Sequence, residues 1–585
     1  MTTAEHPLPA QQNNGAARKA EGFATPKQDK KPQCARMLPK RVLPIIFLPG
    51  IMGSNLRMSA ERQKELRQKD NIAWRPDILG ASNIRANSKS SPRDRQLRLD
   101  PLQTTVDIYD PSGRSDVTGD GRHGNVELNK SFRSPLLTDD PATALNGRTA
   151  VQKARVRGWG EVYFKSYGEL LQHLELRLNN TFSGGKLRQE WRDVVGVNPK
   201  VWNADTRLPQ QAMTEDELKK VVTGCWFAVY AFGYNWLQSN GDSAKAIAVR
   251  INKVIDDLNG AGYVCNKVIV VTHSMGGLVG RALVHPKFGN LQDKVLGIVH
   301  GVMPAIGAPA AYKRMRAGFE DPGLMSRPSL IEASIGAKVA GNYGDEVTAV
   351  LANAPGGLQL LPTESYGNGW LRVRHNGRDL DAWPKQSDPF SEIYKIRGKW
   401  YALFREDWIN PSEKTPEQGG GTFERTCKYL DRVQSFHQMI SNTYHSNSYA
   451  HYGADSGRQS FGEVIWEIRN CTDLSGWQNW SIVRDNRQGT LEFASREGGL
   501  TEYVAALPFN SAGPSSIHAT ILPPSAPGDQ TVPIRSADHQ LNSGMFHGVF
   551  RQTGYEHQSS YKDSRAIAST LFSVVRIAQK ADWEC

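Results

Sequence analysis

The chain has 585 residues, 39% of them hydrophobic and 22% charged, with 14 Trp, 18 Tyr and 19 Phe. A chain this long and this aromatic is not wholly disordered, can bury a core of ample size, and shows no collagen-like glycine period. Its net charge of +12 suits an anionic partner. No zinc-finger spacing, aromatic RNA-binding signature or basic heptad accompanies that charge, so no nucleic-acid partner is expected.

The first 40 residues contain no apolar stretch of the kind a signal peptide needs. They read as a flexible, mildly basic tail, and ordinary secretory export is not encoded there. The run VLPIIFL at 42–48 is continuously apolar, as in a strand covered on both faces. It ends in the turn-rich PGIMGS at 49–54. Residues 58–155 are dominated by charge, Asn, Ser and Pro with weak periodicity, and are expected to form a surface insertion.

Regular patterning returns near Tyr163. Residues 167–178 have the spacing of an amphipathic helix, and CWFAVY at 225–230 reads as a second buried strand. Residues 244–258 carry helical apolar spacing and end at Asn259-Gly260, a plausible C-cap. KVIVV at 267–271 and VLGIV at 295–299 are the third and fourth strands. The alternation predicts an α/β fold with a mostly parallel sheet. The uncharged run 295–312 is broken by three glycines and two prolines, so it suits a buried strand and loop rather than a membrane span.

From 310 to 521 the alternation fades into Gly-, Trp- and charge-rich sequence, with hairpin-like pieces at 490–493 and 501–504. This span is expected to be a cap or lid insertion, with the small-residue stretch 330–341 as a candidate mobile cover. Core texture resumes over 522–585, which closes with an amphipathic helix at 565–580. The expected core is therefore 41–57, 156–309 and 522–585. The six cysteines lie far apart with no CxxC pair, which speaks against a zinc site or redox dithiol and leaves one or two disulfides open.

The sharpest chemical signal is VIVVTHSMGGLV at 268–279. A buried strand runs through Thr272 and His273 into Ser274, Met275 and Gly276, then into a helix. This is the strand–turn–helix context of a nucleophile elbow. The serine of such an elbow sits on a strained turn, so small residues must lie two positions either side. Gly276 meets that need, and Thr272 stands where glycine is usual. The following helix points its free amides at the serine, making Met275 N–H one oxyanion donor. A second donor comes from the loop after an early strand, and Ile51 N–H in the 49–53 turn is the choice.

A serine hydroxyl needs a base, and the base needs an orienting acid. In this fold they follow in the order Ser, Asp or Glu, His. Asp529 in PGDQTVP at 527–533 is the favoured acid, and His557 in GYEHQS at 554–559 the favoured base. Asp538 and Asp563 compete as acids, and His518, His539 and His547 as bases; His285 and His300 lie too near the elbow.

LPGIMGSN at 48–55, YAFGYNW at 230–236 and HSMGG at 273–277 resemble the lipase branch of the α/β-hydrolases, as do GAP at 307–309, LLP at 360–362 and GDQTVP at 528–533. Within it they resemble the group of lecithin:cholesterol acyltransferase-like enzymes and GPI inositol-deacylases. That resemblance places the acid at Asp529 and the histidine at His557. The whole chain is similar to bacterial lipase effectors exported by type VI secretion. The resemblance implies membrane phospholipid as substrate, a cognate immunity protein, a secretion-apparatus partner, and release into the periplasm of a target cell. Triad chemistry requires no cofactor. The stretch Asp116, Asp120 and Glu127 partly fits a calcium loop, but His123 and the lack of flanking helices favour a Gly-rich acidic surface loop, so no metal site is expected. The expectation is thus a serine esterase or lipase. An acyltransferase on the same scaffold and an inactive lipid-binding relative are the alternatives.

Overall fold

The computed structural model describes residues 39–78, 90–111, 122–129, 149–319, 341–415, 420–494 and 517–582, and the backbone of 12–14, 17–22 and 33–37. Its centre is a six-stranded, wholly parallel sheet. In chain order the strands are β1 (Ile45–Leu48), β2 (Val229–Ala231), β3 (Val268–His273), β4 (Val295–Gly301), β5 (Ser448–Gly453) and β6 (Phe546–Gln552). They lie side by side in the order β2-β1-β3-β4-β5-β6.

Four helices cover the sheet: α1 (Phe164–Asn179), α2 (Asn240–Gly260), α3 (Gly276–Val284) and α4 (Ser564–Ala578). Successive residues of a strand face opposite sides, and both sides here are apolar. Ile46, Leu48, Val268 and Val270 pack with Ile247, Ile251, Leu278 and Val279 of α2 and α3. Ile45, Phe47, Ile269 and Val271 pack with Leu170, Leu171, Leu571 and Phe572 of α1 and α4. This double burial is why β1, β3 and β4 read as uninterrupted apolar runs. The α/β class with a mostly parallel sheet is therefore observed.

Three features depart from the sequence expectation. The sheet takes β5 from within 310–521, a span expected to lie wholly outside the core. Residues 12–37, expected as a flexible tail, contain three short strands paired antiparallel, Gln12–Asn14, Ala17–Gly22 and Gln33–Met37. Within 58–155, Ile72–Trp74 and Thr104–Val106 flank Leu56–Met58 in a small antiparallel sheet. Beneath it Asp107 receives both Arg75 and Arg122, at 2.6 and 2.7 Å.

The rest of 310–521 builds a second six-stranded sheet that includes Leu371–His375, Val464–Arg469 and, as expected, a strand at Thr490–Phe493. The helix Pro309–Ala317, which follows β4, joins the two sheets through a buried ion pair of Arg316 with Asp485 at 2.9 Å. The pieces at 501–504 and 330–340 lie outside the described residues. Cys225, Cys265, Cys427 and Cys471 are free thiols. No helix among the described residues is long and apolar enough to cross a membrane.

Candidate active site

β3 delivers Ser274 to the carboxyl edge of the sheet, next to the end of β1. Ser274 has φ +53, a left-handed conformation that side chains other than glycine adopt at a cost. Its N–H donates to Gly301 O at 2.8 Å, and its carbonyl accepts from Gly277 N–H at 2.9 Å. The glycine two positions on is required sterically: a Cβ on Gly276 would lie 2.5 Å from both Leu48 O and Pro49 O. Thr272 fits at the other small-residue position because Gly280, on the first turns of α3, leaves space. A Cβ there would approach the Thr272 methyl to 3.2 Å.

Asp529 sits in the turn after the strand Ala526–Gly528. Its Oδ1 accepts from the backbone N–H groups of Thr531 (3.1 Å) and Val532 (2.7 Å). This explains the local sequence: the carboxylate closes its own turn, and Gly528 admits the close approach of Ser460 Oγ, which a Cβ would meet at 2.3 Å. Oδ2 is left for His557, whose Nδ1 lies 2.8 Å away. A carboxylate only accepts, so Nδ1 carries the proton and Nε2 presents its lone pair. That lone pair faces Ser274 Oγ at 2.8 Å. Ser274, His557 and Asp529 are 5%, 7% and 1% exposed, so the whole chain of hydrogen bonds lies below the surface.

The structure thus brings the three residues selected from sequence within hydrogen-bond distance of one another and places the competitors elsewhere. His547 is exposed on β6. His539 pairs with Tyr444 Oη at 3.1 Å, and His518 lies 3.9 Å from Glu492 on the second sheet. Asp538 pairs with Arg551, and Asp563 caps α4. His300 is buried on β4 beside Thr272, and His285 ends α3.

The two amides chosen as oxyanion donors lie on either side of the elbow. Met275 is the buried N-cap of α3, and Ile51 is half-buried in the turn closed by Gly53 N–H on Gly50 O at 3.0 Å. Neither N–H has an acceptor among the described residues. Gly50 packs against the elbow so tightly that a Cβ would lie 3.0 Å from Ser274 Cβ. His273 is fully buried, between Tyr167 and His557, and burial holds its ring well below the usual histidine pKa. The sequence marks Tyr167 only as a residue of an amphipathic helix. A tyrosine on an apolar face carries no sequence signal that its hydroxyl is aimed at a site.

Of the candidate metal loop, Asp116 and Asp120 lie outside the described residues. No group of three or more His, Cys, Asp or Glu suited to a metal ion occurs among the described ones.

Fold and site together define an α/β protein with a serine–histidine–aspartate cluster at the carboxyl edge of a parallel sheet, the serine held on a strained strand-to-helix turn. In structure the chain is similar to one in the crystal structure of the Tle4–Tli4 complex, with a TM-score of 0.70 and 29% sequence identity over 93% of this chain and 99% of that one. No protein-family model matches the chain. No curated protein matches it either.

Proposed function

We propose that this protein is a serine esterase of the lipase type, with an α/β-hydrolase core, that hydrolyses acyl esters of membrane phospholipids. The observation that carries the reading is the continuous hydrogen-bond chain from Asp529 through His557 to Ser274, with the serine at positive φ. His557 Nε2 takes the proton from Ser274 Oγ as Oγ attacks the ester carbonyl, and the Met275 and Ile51 amides hold the oxyanion. The imidazolium then protonates the leaving alcohol, which departs and leaves an acyl-serine. Water, deprotonated by His557, attacks this ester, and the carboxylic acid leaves as Ser274 recovers its proton. Asp529 fixes the ring and stabilises the imidazolium throughout. The residues that act are all side chains and amides of this chain.

Likeness to a chain solved in a complex of two proteins, Tle4 and Tli4, supports a narrower reading. The protein is a lipase effector of type VI secretion, made in the cytoplasm, delivered to the periplasm of a target cell and restrained by an immunity protein. The resemblance to lecithin:cholesterol acyltransferase-like enzymes rests on sequence motifs alone, and the structural likeness adds nothing to it. The net charge of +12 favours anionic bilayers, at about 1 kcal/mol for each well-placed Lys or Arg. The experiment is incubation with phosphatidylglycerol–phosphatidylethanolamine vesicles and mass spectrometry of the products. Free fatty acid and lysophospholipid are expected, and their absence from a folded preparation whose Ser274 reacts with no fluorophosphonate would overturn the proposal.

A further inference from the structure

A chain of buried polar groups behind Ser274 joins two segments that are far apart in sequence. Tyr167, on the first turn of α1, has no exposed surface. Its hydroxyl lies 3.1 Å from His273 Nδ1 and accepts from Gly50 N–H at 3.3 Å and from Gln558 Nε2 at 3.3 Å. His273 Nε2 lies 3.0 Å from the backbone carbonyl of His557. A carbonyl only accepts, so Nε2 of His273 carries the proton, Nδ1 is the acceptor, and the Tyr167 hydroxyl donates to it. Ser166 adds a second grip on the same loop, donating to Gln558 O at 3.0 Å and accepting from Gln558 Nε2 at 2.9 Å.

We infer that Tyr167 and His273 are positioning residues, a buried relay that holds the Gly50–Gly53 turn and the His557 loop in register on either side of Ser274. The inference rests on the esterase reading above. Gly50 is the link to the oxyanion. Its carbonyl is taken by Gly53 N–H, and in a trans peptide the next N–H, that of Ile51, must point the opposite way. The Gly50–Ile51 peptide plane is therefore held by the turn bond, and the preceding Pro49–Gly50 plane by the Tyr167 hydroxyl, so that both peptides flanking Gly50 Cα are tethered. The same hydroxyl, through His273, anchors the backbone of the residue that must accept the serine proton. Space around the relay is closed: a Cβ on Gly50 would lie 2.9 Å from His273 Nδ1, and one on Gly53 would lie 2.8 Å from the Tyr167 hydroxyl. Neither ring reaches the reacting atoms. They act through Gly50 and through His557.

An oxyanion donor and a base displaced by a fraction of an ångström weaken the transition state more than substrate binding. The test uses a soluble short-chain acyl ester, with active-site concentration set by fluorophosphonate titration so that unfolded enzyme is not counted. Tyr167→Phe is expected to lower kcat about 10- to 100-fold with KM within about twofold. His273→Gln can still donate to the His557 carbonyl, and is expected to keep clearly more activity than His273→Leu. An active wild type with unchanged kcat in Tyr167→Phe overturns the inference. So does equal activity of His273→Gln and His273→Leu, or a loss that lies in KM alone. A wild type that neither turns over ester nor labels at Ser274 instead overturns the esterase reading, and the relay with it.

Discussion

His557 and Asp529 are joined twice: their side chains meet at 2.8 Å, and the His557 N–H donates to the Asp529 carbonyl at 2.9 Å. The backbone link places the imidazole before any charge is considered. The side-chain link selects its tautomer. These two contributions can be separated, because a change confined to the carboxylate leaves the backbone link intact.

Asp529→Asn makes the separation. Two backbone N–H groups, of Thr531 and Val532, point at Oδ1, so the asparagine must keep its oxygen there and turn its NH2 toward His557. The ring then accepts at Nδ1 and carries its proton on Nε2, facing Ser274, where it cannot act as a base. The fold is expected to persist and kcat to fall by about 10³- to 10⁴-fold. Activity near wild type would show that Asp529 does not set the tautomer.

Ser274→Ala is expected to remove at least about 10³-fold of the ester turnover and all labelling by a fluorophosphonate. Ser274→Gly should be as inactive but more stable than the alanine variant. Glycine adopts φ +53 without the Cβ penalty, a difference of roughly 1 kcal/mol. Chemical denaturation of the two variants side by side measures it. Equal midpoints would mean that the strain at Ser274 is negligible.

The elbow and its partners were legible because their chemistry fixes local sequence. A strained serine demands glycine beside it, and an aspartate that closes its own turn demands the Gly-Asp-x-Thr-Val spacing. The flanking apolar runs of β1, β3 and β4 were legible because both sheet faces are covered. β5 was not. Its sequence, SYAHYG at 448–453, is fully buried yet half polar. Ser448 donates to His445 O, and the Tyr452 hydroxyl to Asp538. Polar groups satisfied by hydrogen bonds, one local and one 86 residues away, erase the apolar run that marks a buried strand, so the span around it reads as insertion. Tyr167 was hidden for the related reason that its hydroxyl finds its partners 106 and more residues away.

Glycine replacements separate sites that only look alike. Gly276→Ala drives a Cβ to 2.5 Å from two backbone oxygens of β1 and its turn. Backbone cannot swing aside as a side chain can, so a loss of about 1–3 kcal/mol or more is expected, along with activity. Gly260→Ala, at the end of α2, meets nothing within 4 Å and has no positive φ. It is expected to be neutral or to stabilise by about 0.4–1 kcal/mol. Urea titrations of both variants give the comparison, and equal destabilisation would contradict the packing described at the elbow.

Stability should fall on the acid side of neutrality, earlier than carboxylate titration alone would bring. Burial holds His300 and His437 down to about 3, and His123, His173 and His451 to about 4, whereas an unfolded histidine titrates near 6.5. A group whose folded pKa is depressed favours the fold fully above the unfolded value. It loses that advantage as pH falls from about 6.5 toward the folded value, by up to about 1.4 kcal/mol per pH unit for each group. Glu161, Asp77 and Asp100 work in the other direction, since burial raises their carboxyl groups, but the unfolded carboxyls begin to protonate only near pH 4–5. The histidines therefore dominate between about pH 6.5 and 5. The thermal midpoint is expected to be level from pH 7 to 8 and to drop steeply across that window. His300→Gln should shallow the slope, because one proton-binding site is removed from the unfolded chain. A midpoint that holds level down to pH 5 would mean that these rings take up protons in the fold without penalty, contrary to their burial.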